Sequence, residues 1–452
     1  MLRLILPQVV TIAAINYLFS TAALGAPEPM SLEQVLKSTV AQNGQIKESL
    51  QEVEAARAQL DQAHAAMWPR ASATILAAPI FEETGDAVHS KSNWKRWGPF
   101  LTGGVQVVQP IYTFGQIGSY KKAAESQITA KNELASVKRD EMVAMAKEFY
   151  YSYQMASDLS DLVDDLTGFL DEAVTTAEES MKKKRKGSTP VKPHDVFRLK
   201  TALEDLRQKK LYADQGRQTA ERAVAWVAGV NEIKIAKKSL RAEAFQKKTL
   251  EEYLTTAKAK RPEFKALTAG QEARLALRDA KAAQSYPVFF VGAFGSAGWS
   301  PVRQKQDSVF ANDPFNQIQG GAGLGLRFDL EFARHSAEAS EQEAEAMKLK
   351  AKESYAVPGI ELQVRKAFWE LEQAVQGMEV AERRKALGKK WFVQSAMGWS
   401  IGITPAKDLL ESLEGNGLAK KNYVETLFSL NMALAHLSQA VGEEITGLKY
   451  RP

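Results

Sequence analysis

The 452-residue sequence contains no cysteine. That absence excludes disulfides, thiolate nucleophiles, thiolate metal sites and a lipid anchor on an N-terminal cysteine. A dominant charge sign is also missing. With 59 Lys and Arg against 54 Asp and Glu, the net charge is +5, too small to argue for nucleic acid as a partner. Beyond residue 26 no run approaches the roughly 20 apolar residues that a transmembrane helix needs. The five histidines (His64, His89, His194, His335, His436) fall in different segments. None stands at a metal-ligand spacing from another, and no serine or acid constellation accompanies them. The methionines form no cluster that would serve a soft metal. The expectation is a protein without cofactor, metal or catalytic activity.

What is present begins at the N-terminus. Arg3 precedes an apolar run that ends in the small residues of Thr21–Ala26, the layout of a secretory signal peptide. Residues 1–25 are read as that signal, with cleavage after Gly25. The other reading is an uncleaved anchor, but Pro7, Gln8 and Asn16 interrupt the run.

The chain also matches itself. Ser31–Pro69 aligns with Thr249–Pro287 at an offset of 218, with 11 identities in 39 positions, among them Leu32/Leu250, Lys47/Lys265, Asp61/Asp279 and Pro69/Pro287. The match resumes at offset 219, where Ala146–Gln154 faces Arg365–Gln373, and again at offset 213, where Asp195 meets Asp408 and Gly229 meets Gly442. Three matches in the same order divide the mature chain into two structural repeats, 26–230 and 231–452.

Each repeat reads as helix, strand, strand, long helix, long helix. In the first, Leu32–Met67 is rich in Ala, Gln, Glu and Leu without proline and reads as one helix, stopped by Trp68-Pro69. Strands are expected over 70–81 and 102–112, around a polar loop at Glu82–Gly98. A proline-free helix over 115–182, about 100 Å long, carries Met155, Leu159, Leu162, Leu166, Phe169 and Ala173 at coiled-coil spacing. A return helix spans 194–227. The second repeat places strands over 287–299 and 317–328 and helices over 333–397 and 407–441. Leu427, Leu430, Leu434, Leu437 and Val441 form the seam of the last helix. Pro358 should kink or break the preceding one.

The strands alternate. Leu324, Leu326 and Phe328 share one face while Gly323, Gly325 and Arg327 share the other. That pattern suits a half-buried soluble sheet and equally a membrane barrel. Four strands of spanning length, polar loops, and Trp94, Trp97 and Trp299 placed as an aromatic belt favour the barrel. Four strands cannot close one, and open edges are not tolerated in lipid, so several copies must complete it.

Together these features resemble the TolC-type outer-membrane efflux and secretion channels, over nearly the whole mature chain. QPIYTFGQ, from Gln109, is similar to the family's strand-to-helix step, with Pro110 and Gly115 as its hinge. MGWSIGITPAKDLLES, Met397–Ser412, is similar to the turn between its last two long helices. The resemblance implies a mainly α fold with a small β part. Long coiled-coil helices would form a trimeric α-barrel, below a 12-stranded β-barrel with four strands per subunit. It implies an exit duct in the outer membrane and periplasm of a Gram-negative bacterium. Its partners would be a periplasmic adaptor (membrane fusion) protein, an inner-membrane transporter and outer-membrane lipid.

Carried over by residue, the resemblance places Asp408 and Glu411 at the pore constriction, where threefold symmetry gathers six carboxylates. On spacing alone the same two acids complement a helix dipole. Asp195 falls in a closing network whose basic partner position is here Thr404. Trp399 falls on a gating aromatic, or is a packing residue. The turns Gly187, Ser188, Thr189 and Gly402, Ile403, Thr404 would meet the adaptor. The basic run MKKKRKG, Met181–Gly187, lies beside the first turn and would face an acidic patch there. The rival reading is a soluble periplasmic coiled-coil adaptor or tether, which would explain the helices but not the strands.

Overall fold

The computed structural model describes residues 29–86, 88–182, 191–307, 310 and 312–450; the expected signal peptide, Gly187–Thr189 and the basic run past Lys182 lie outside them. The chain runs α1 (Leu32–Gln42), α2 (Gly44–Ala65), β1 (Arg70–Gly85), β2 (Ser90–Tyr112), α3 (Gln116–Lys182) and α4 (Pro193–Ala228). An extended linker then leads to α5 (Leu250–Lys260), α6 (Pro262–Ala282), a short 3₁₀ turn, β3 (Val288–Trp299), β4 (Ile318–Arg327), α7 (Phe332–Ser400) and α8 (Ala406–Val441). No described helix is long and apolar enough to cross a membrane.

The expected helix 32–67 is divided at Asn43. Its backbone leaves the helical region (φ −58°, ψ 131°) while its side chain accepts from the amides of Gln45 at 2.9 Å and Ile46 at 3.3 Å. Asn43 thus ends α1 and N-caps α2. Its amide also donates to the Val227 carbonyl at 2.9 Å. Arg261 divides α5 from α6 in the same way, with Pro262 opening α6 and the guanidinium donating to the Ala440 carbonyl at 3.1 Å.

Two left-handed glycines sit against these breaks. Gly229 (φ 71°) ends α4 and Gly442 (φ 75°) ends α8. A Cβ on Gly229 would lie 2.7 Å from the Gln42 carbonyl, whereas one on Gly442 would stand 3.4 Å from Arg261. Both Ala variants meet the left-handed penalty of about 1–2 kcal/mol, but only the first also forces backbone apart. In urea unfolding monitored by circular dichroism, Gly229→Ala should lower the midpoint clearly more than Gly442→Ala. Equal shifts would contradict the contact.

The main core joins both halves. Leu36, Tyr151, Val224, Tyr253, Leu371, Leu434 and Leu437 are buried together with Ile233, Ile235 and Leu240 of the linker. A second cluster, near the α3–α4 and α7–α8 turns, buries Leu162, Leu166, Leu170 and Ala173 of α3 with Val196 and Leu199 of α4 and Leu409 and Leu413 of α8. The α7 helix does not break at Pro358. The proline removes one donor from a helix of 69 residues that is held along its length by α5, α6 and α8, so the lost ladder bond is local.

The four strands form one antiparallel sheet in the order β1-β2-β3-β4. The stretch expected as a polar loop is largely strand. Pairing continues past a bulge at Phe81/Glu82 through Glu82↔Asn93 to Gly85↔Ser90. Phe81 stacks on Trp94 at 4.1 Å and Arg96 pairs with Glu82 at 2.7 Å, which holds this polar hairpin extended without a buried face.

Candidate functional site

The register sorts the sheet into two faces, because directly paired residues of an antiparallel sheet point the same way. Ala73↔Val105, Val105↔Gly295 and Gly295↔Gly320 lie on one face, as do Ala77↔Leu101, Leu101↔Trp299, Val291↔Leu324 and Phe289↔Leu326. From Ala71 to Phe81, Pro99 to Val107, and over β3 and β4, this face holds only apolar side chains and glycine. Its large residues are solvent-exposed within the single chain: Ile75 at 79%, Ile318 at 89% and Leu324 at 83%. The opposite face mixes glycine with Ser72, Thr74, Thr102, Gln106, Ser296 and Gln319, and also carries Leu76, Ile80, Phe100 and Val108. Phe290 and Phe294 there stand over Gly325 and Gly321; a Cβ on Gly325 would fall 2.3 Å from the Phe290 ring, and one on Gly321 3.1 Å from that of Phe294.

Aromatic residues rim the apolar face at both ends. Phe81, Trp97 and Trp299 stand at the end away from the helices. At the helix end Phe114 contacts Tyr112 (4.7 Å), Tyr286 (5.5 Å) and Phe289 (6.1 Å), near exposed Trp68. Ten residue steps separate Phe289 from Trp299, about 33 Å along the strand. At the usual tilt this is close to the ~25 Å apolar band of a membrane barrel. Trp94 belongs instead to the polar hairpin beyond.

The strand-to-helix step is built at 109–117. β2 passes Pro110, paired with Phe290, and reaches Tyr112 through an irregularity in its register with β3. Pro110 thus precedes the strand end by two residues. Phe114 (φ 48°) and Gly115 (φ 84°) then turn the chain, and Thr113 starts α3 by accepting from Gln116 and Ile117.

At the other end of the helices the α7–α8 turn is tight. The carbonyl of Gly398 accepts from Ile403 at 2.8 Å and Thr404 at 3.1 Å, and Gly402 (φ 79°) donates to Trp399 at 2.9 Å. A Cβ on Gly398 would fall 2.1 Å from the Thr404 hydroxyl, so any larger residue there must displace the Thr404 side chain. Asp408 and Glu411 are exposed in the first two turns of α8, with Lys407 3.6 Å from Glu411. Trp399 is partly buried against the turn cluster, and its buried indole N–H has no partner. Asp195 is tied into its own turn. It accepts from the Lys192 amide at 3.1 Å and stands 3.5 Å from His194 and 3.9 Å from Arg198. The buried neighbours Val196 and Leu409 belong to one cluster, so the starts of α4 and α8 pack side by side.

No family model matches this sequence, and no curated protein does. Solved structures do. The outer-membrane channel OprN superposes with a TM-score of 0.73 over 92% of this chain and 90% of its own, at 15% identity. The CmeC outer-membrane channel of Campylobacter jejuni gives 0.73 over 93% and 87%, at 13% identity. The MtrE outer-membrane channel of Neisseria gonorrhoeae gives 0.71 over 93% and 90%, at 15% identity. The chain has the fold of the TolC-type outer-membrane channels.

Within the TolC-type fold the sequence-derived residues divide into two groups. Trp399, Gly402, Ile403, Thr404, Asp408 and Glu411 share one turn, with Asp195 on the neighbouring helix start. Pro110 and Gly115 lie at the opposite end of α3, by the sheet. Sequence reasoning overlooked the aromatic rim at the helix end and two arginines at the sheet ends, Arg70 and Arg327. Their signal was available as position in the alternation rather than as a motif.

Proposed function

We propose that this protein is the outer-membrane exit duct of a tripartite efflux or type I secretion assembly, a passive conduit rather than an enzyme. The observation that carries the reading is the four-stranded sheet, with a continuous exposed apolar face between two aromatic rims and, along that face, edges β1 and β4 without a strand partner among the described residues. Three copies supply twelve strands and leave no edge in lipid. A soluble adaptor would have no use for such a face.

The helices support the same assembly. Toward the α3–α4 and α7–α8 turns, intrachain packing runs α4 on α3, α3 on α8 and α8 on α7, so α4 and α7 flank that part of the bundle, while nearer the sheet α6 bridges α3 and α7. Leu362 and Trp369, then Val380 and Leu387, stand seven residues apart on α7 and are exposed, as are Leu211 and Trp226 on α4. Apolar rows at this spacing suit helix seams with neighbouring copies. The matching breaks at Asn43 and Arg261, each bonded to the end of a return helix, support two duplicated repeats, 26–230 and 231–452. In this reading residues 1–25 direct export, the turns at 187–189 and 402–404 face a periplasmic adaptor coupled to an inner-membrane transporter, and Asp195, Trp399, Asp408 and Glu411 line the closed tip.

The mature protein should fractionate with the outer membrane as a heat-modifiable trimer and conduct ions in planar bilayers. A soluble monomer, recovered without detergent, would refute the reading.

A further inference from the structure

Across the strand segments 70–80, 98–110, 288–299 and 318–327, which make the apolar band and its reverse side, the charged residues are Arg70 and Arg327. No carboxylate occurs there. Both arginines fall on the mixed, glycine-rich face: Arg70 alternates with Ala71, and Arg327 with Leu326, each of which lies on the apolar face. Both also stand at the same end of the sheet. Arg70 opens β1 directly after α2, and Arg327 closes β4 directly before α7. They occupy its two open edges, β1 and β4. The Arg327 guanidinium lies 5.5 Å from the centre of the Phe290 ring, which holds it along the wall. Arg70 and Arg327 are exposed, and neither forms an ion pair among the described residues. The acids nearest Arg327 in sequence are engaged elsewhere: Asp329 stands 3.3 Å from His335, and Glu331 pairs with Arg334.

We propose that Arg70 and Arg327 form a cationic ring at the helix-side mouth of the barrel lumen, which binds and favours solutes bearing carboxylate or phosphate groups. The inference rests on the trimeric reading above. Closing the barrel sets the β4 edge of one copy beside the β1 edge of the next, so six guanidinium groups encircle the mouth. Rings of arginine are the usual device of anion pores. Magnitude decides whether the ring is felt. Twelve strands about 4.8 Å apart close to a backbone radius of roughly 12 Å, and arginine side chains reach well inside it. The axis then lies within the ~10 Å screening length of 0.1 M salt but beyond the ~3 Å of 1 M salt. The barrel mouth therefore attracts anions while the proposed acidic tip attracts cations, and the two filters act in series on the same path.

The test is reversal potential in planar bilayers under a KCl gradient near 0.1 M. The full-length trimer is used with the tip neutralised by Asp408→Asn and Glu411→Gln. The expected channel favours chloride over potassium. Adding Arg70→Gln and Arg327→Gln should lower the chloride-to-potassium ratio by about threefold or more, whereas Arg→Lys at both positions should keep it. Citrate or inorganic phosphate added on the helix side should block the Arg channel at low salt and not at 1 M. A conducting Gln variant with an unchanged ratio overturns the ring, as does absence of anion block in the parent channel, which needs no new folding. A trimer that inserts and does not conduct refutes the channel reading itself, and the ring with it.

Discussion

Replacing Glu444 by Gln should destabilise the protein by about 3–5 kcal/mol, because it strands a buried ammonium. After Gly442 ends α8, the chain turns back and lays residues 443–450 across α3 and α8. Lys147 of α3 meets Glu444 at 2.6 Å, with 3% and 11% of their side chains exposed. Thr446 donates its amide and hydroxyl to the same carboxylate, and the Tyr450 ring covers the ammonium at 5.8 Å. Burial pushes the Glu444 carboxyl up, but Lys147 and the Thr446 hydrogen bonds outweigh it and leave the group below its ordinary value of 4.5. A carboxylate whose folded value is depressed stabilises the fold above its unfolded value and loses that contribution as pH falls through the folded one. The urea midpoint of the parent protein should therefore fall as pH drops below about 4.5, and Glu444→Gln should remove that component. The double variant Lys147→Met/Glu444→Leu should recover most of the loss, since apolar replacement of a buried pair is often neutral. A Gln variant as stable as the parent would show that water reaches Lys147.

Much of this architecture was legible because its carriers are periodic. The seam residues Leu427, Leu430, Leu434 and Leu437 are buried as their heptad spacing requires, and Leu162, Leu166 and Ala173 behave likewise on α3. Leu170, missed beside Phe169, is fully buried because two neighbouring positions share that stripe, and Phe169 turns to Phe392 at 4.8 Å instead. What periodicity could not show were events set by a single residue. The break at Asn43 was written as Asn-Gly, a turn signal, but good helix formers on both sides concealed it. Polar Glu82–Gly98 reads as loop, yet it is a hairpin held by its own pairing and by the Phe81–Trp94 stack, with no apolar face to announce it. Pro358 reads as a break, and tertiary packing carries the helix through.

The site was legible to a different degree. Asp408 and Glu411 stood out by spacing, and they do share the exposed start of α8. Asp195 had no basic partner to expect on the opposite turn, where Thr404 stands, and its carboxylate accepts from the Lys192 amide of its own turn. Thr404, at the position of the missing base, bonds through its backbone to Gly398. Among the described residues no ion pair joins the starts of α4 and α8; Val196, Leu199, Ala406 and Leu409 share an apolar cluster there.

The tip carboxylates offer the sharper functional test. Asp408→Ala with Glu411→Ala should raise single-channel conductance severalfold and abolish block by trivalent cations added on the helix side. In the proposed trimer six exposed carboxylates would converge there, and a ring of acids both attracts cations and holds them. The competing role of these residues is to complement the N-terminus of α8, which is worth about 0.3–1 kcal/mol per acid. The two roles separate by measurement. A purely structural role predicts a lower urea midpoint with conductance and block unchanged. A constriction predicts altered conduction with at most that small loss of stability. Asn and Gln in place of Ala keep the side-chain size and remove only charge. If Asp408→Asn/Glu411→Gln loses cation block while conductance stays near the parent value, charge governs binding and side-chain bulk governs the width of the entrance. If neither pair alters conduction, the narrowest point lies elsewhere along the helices.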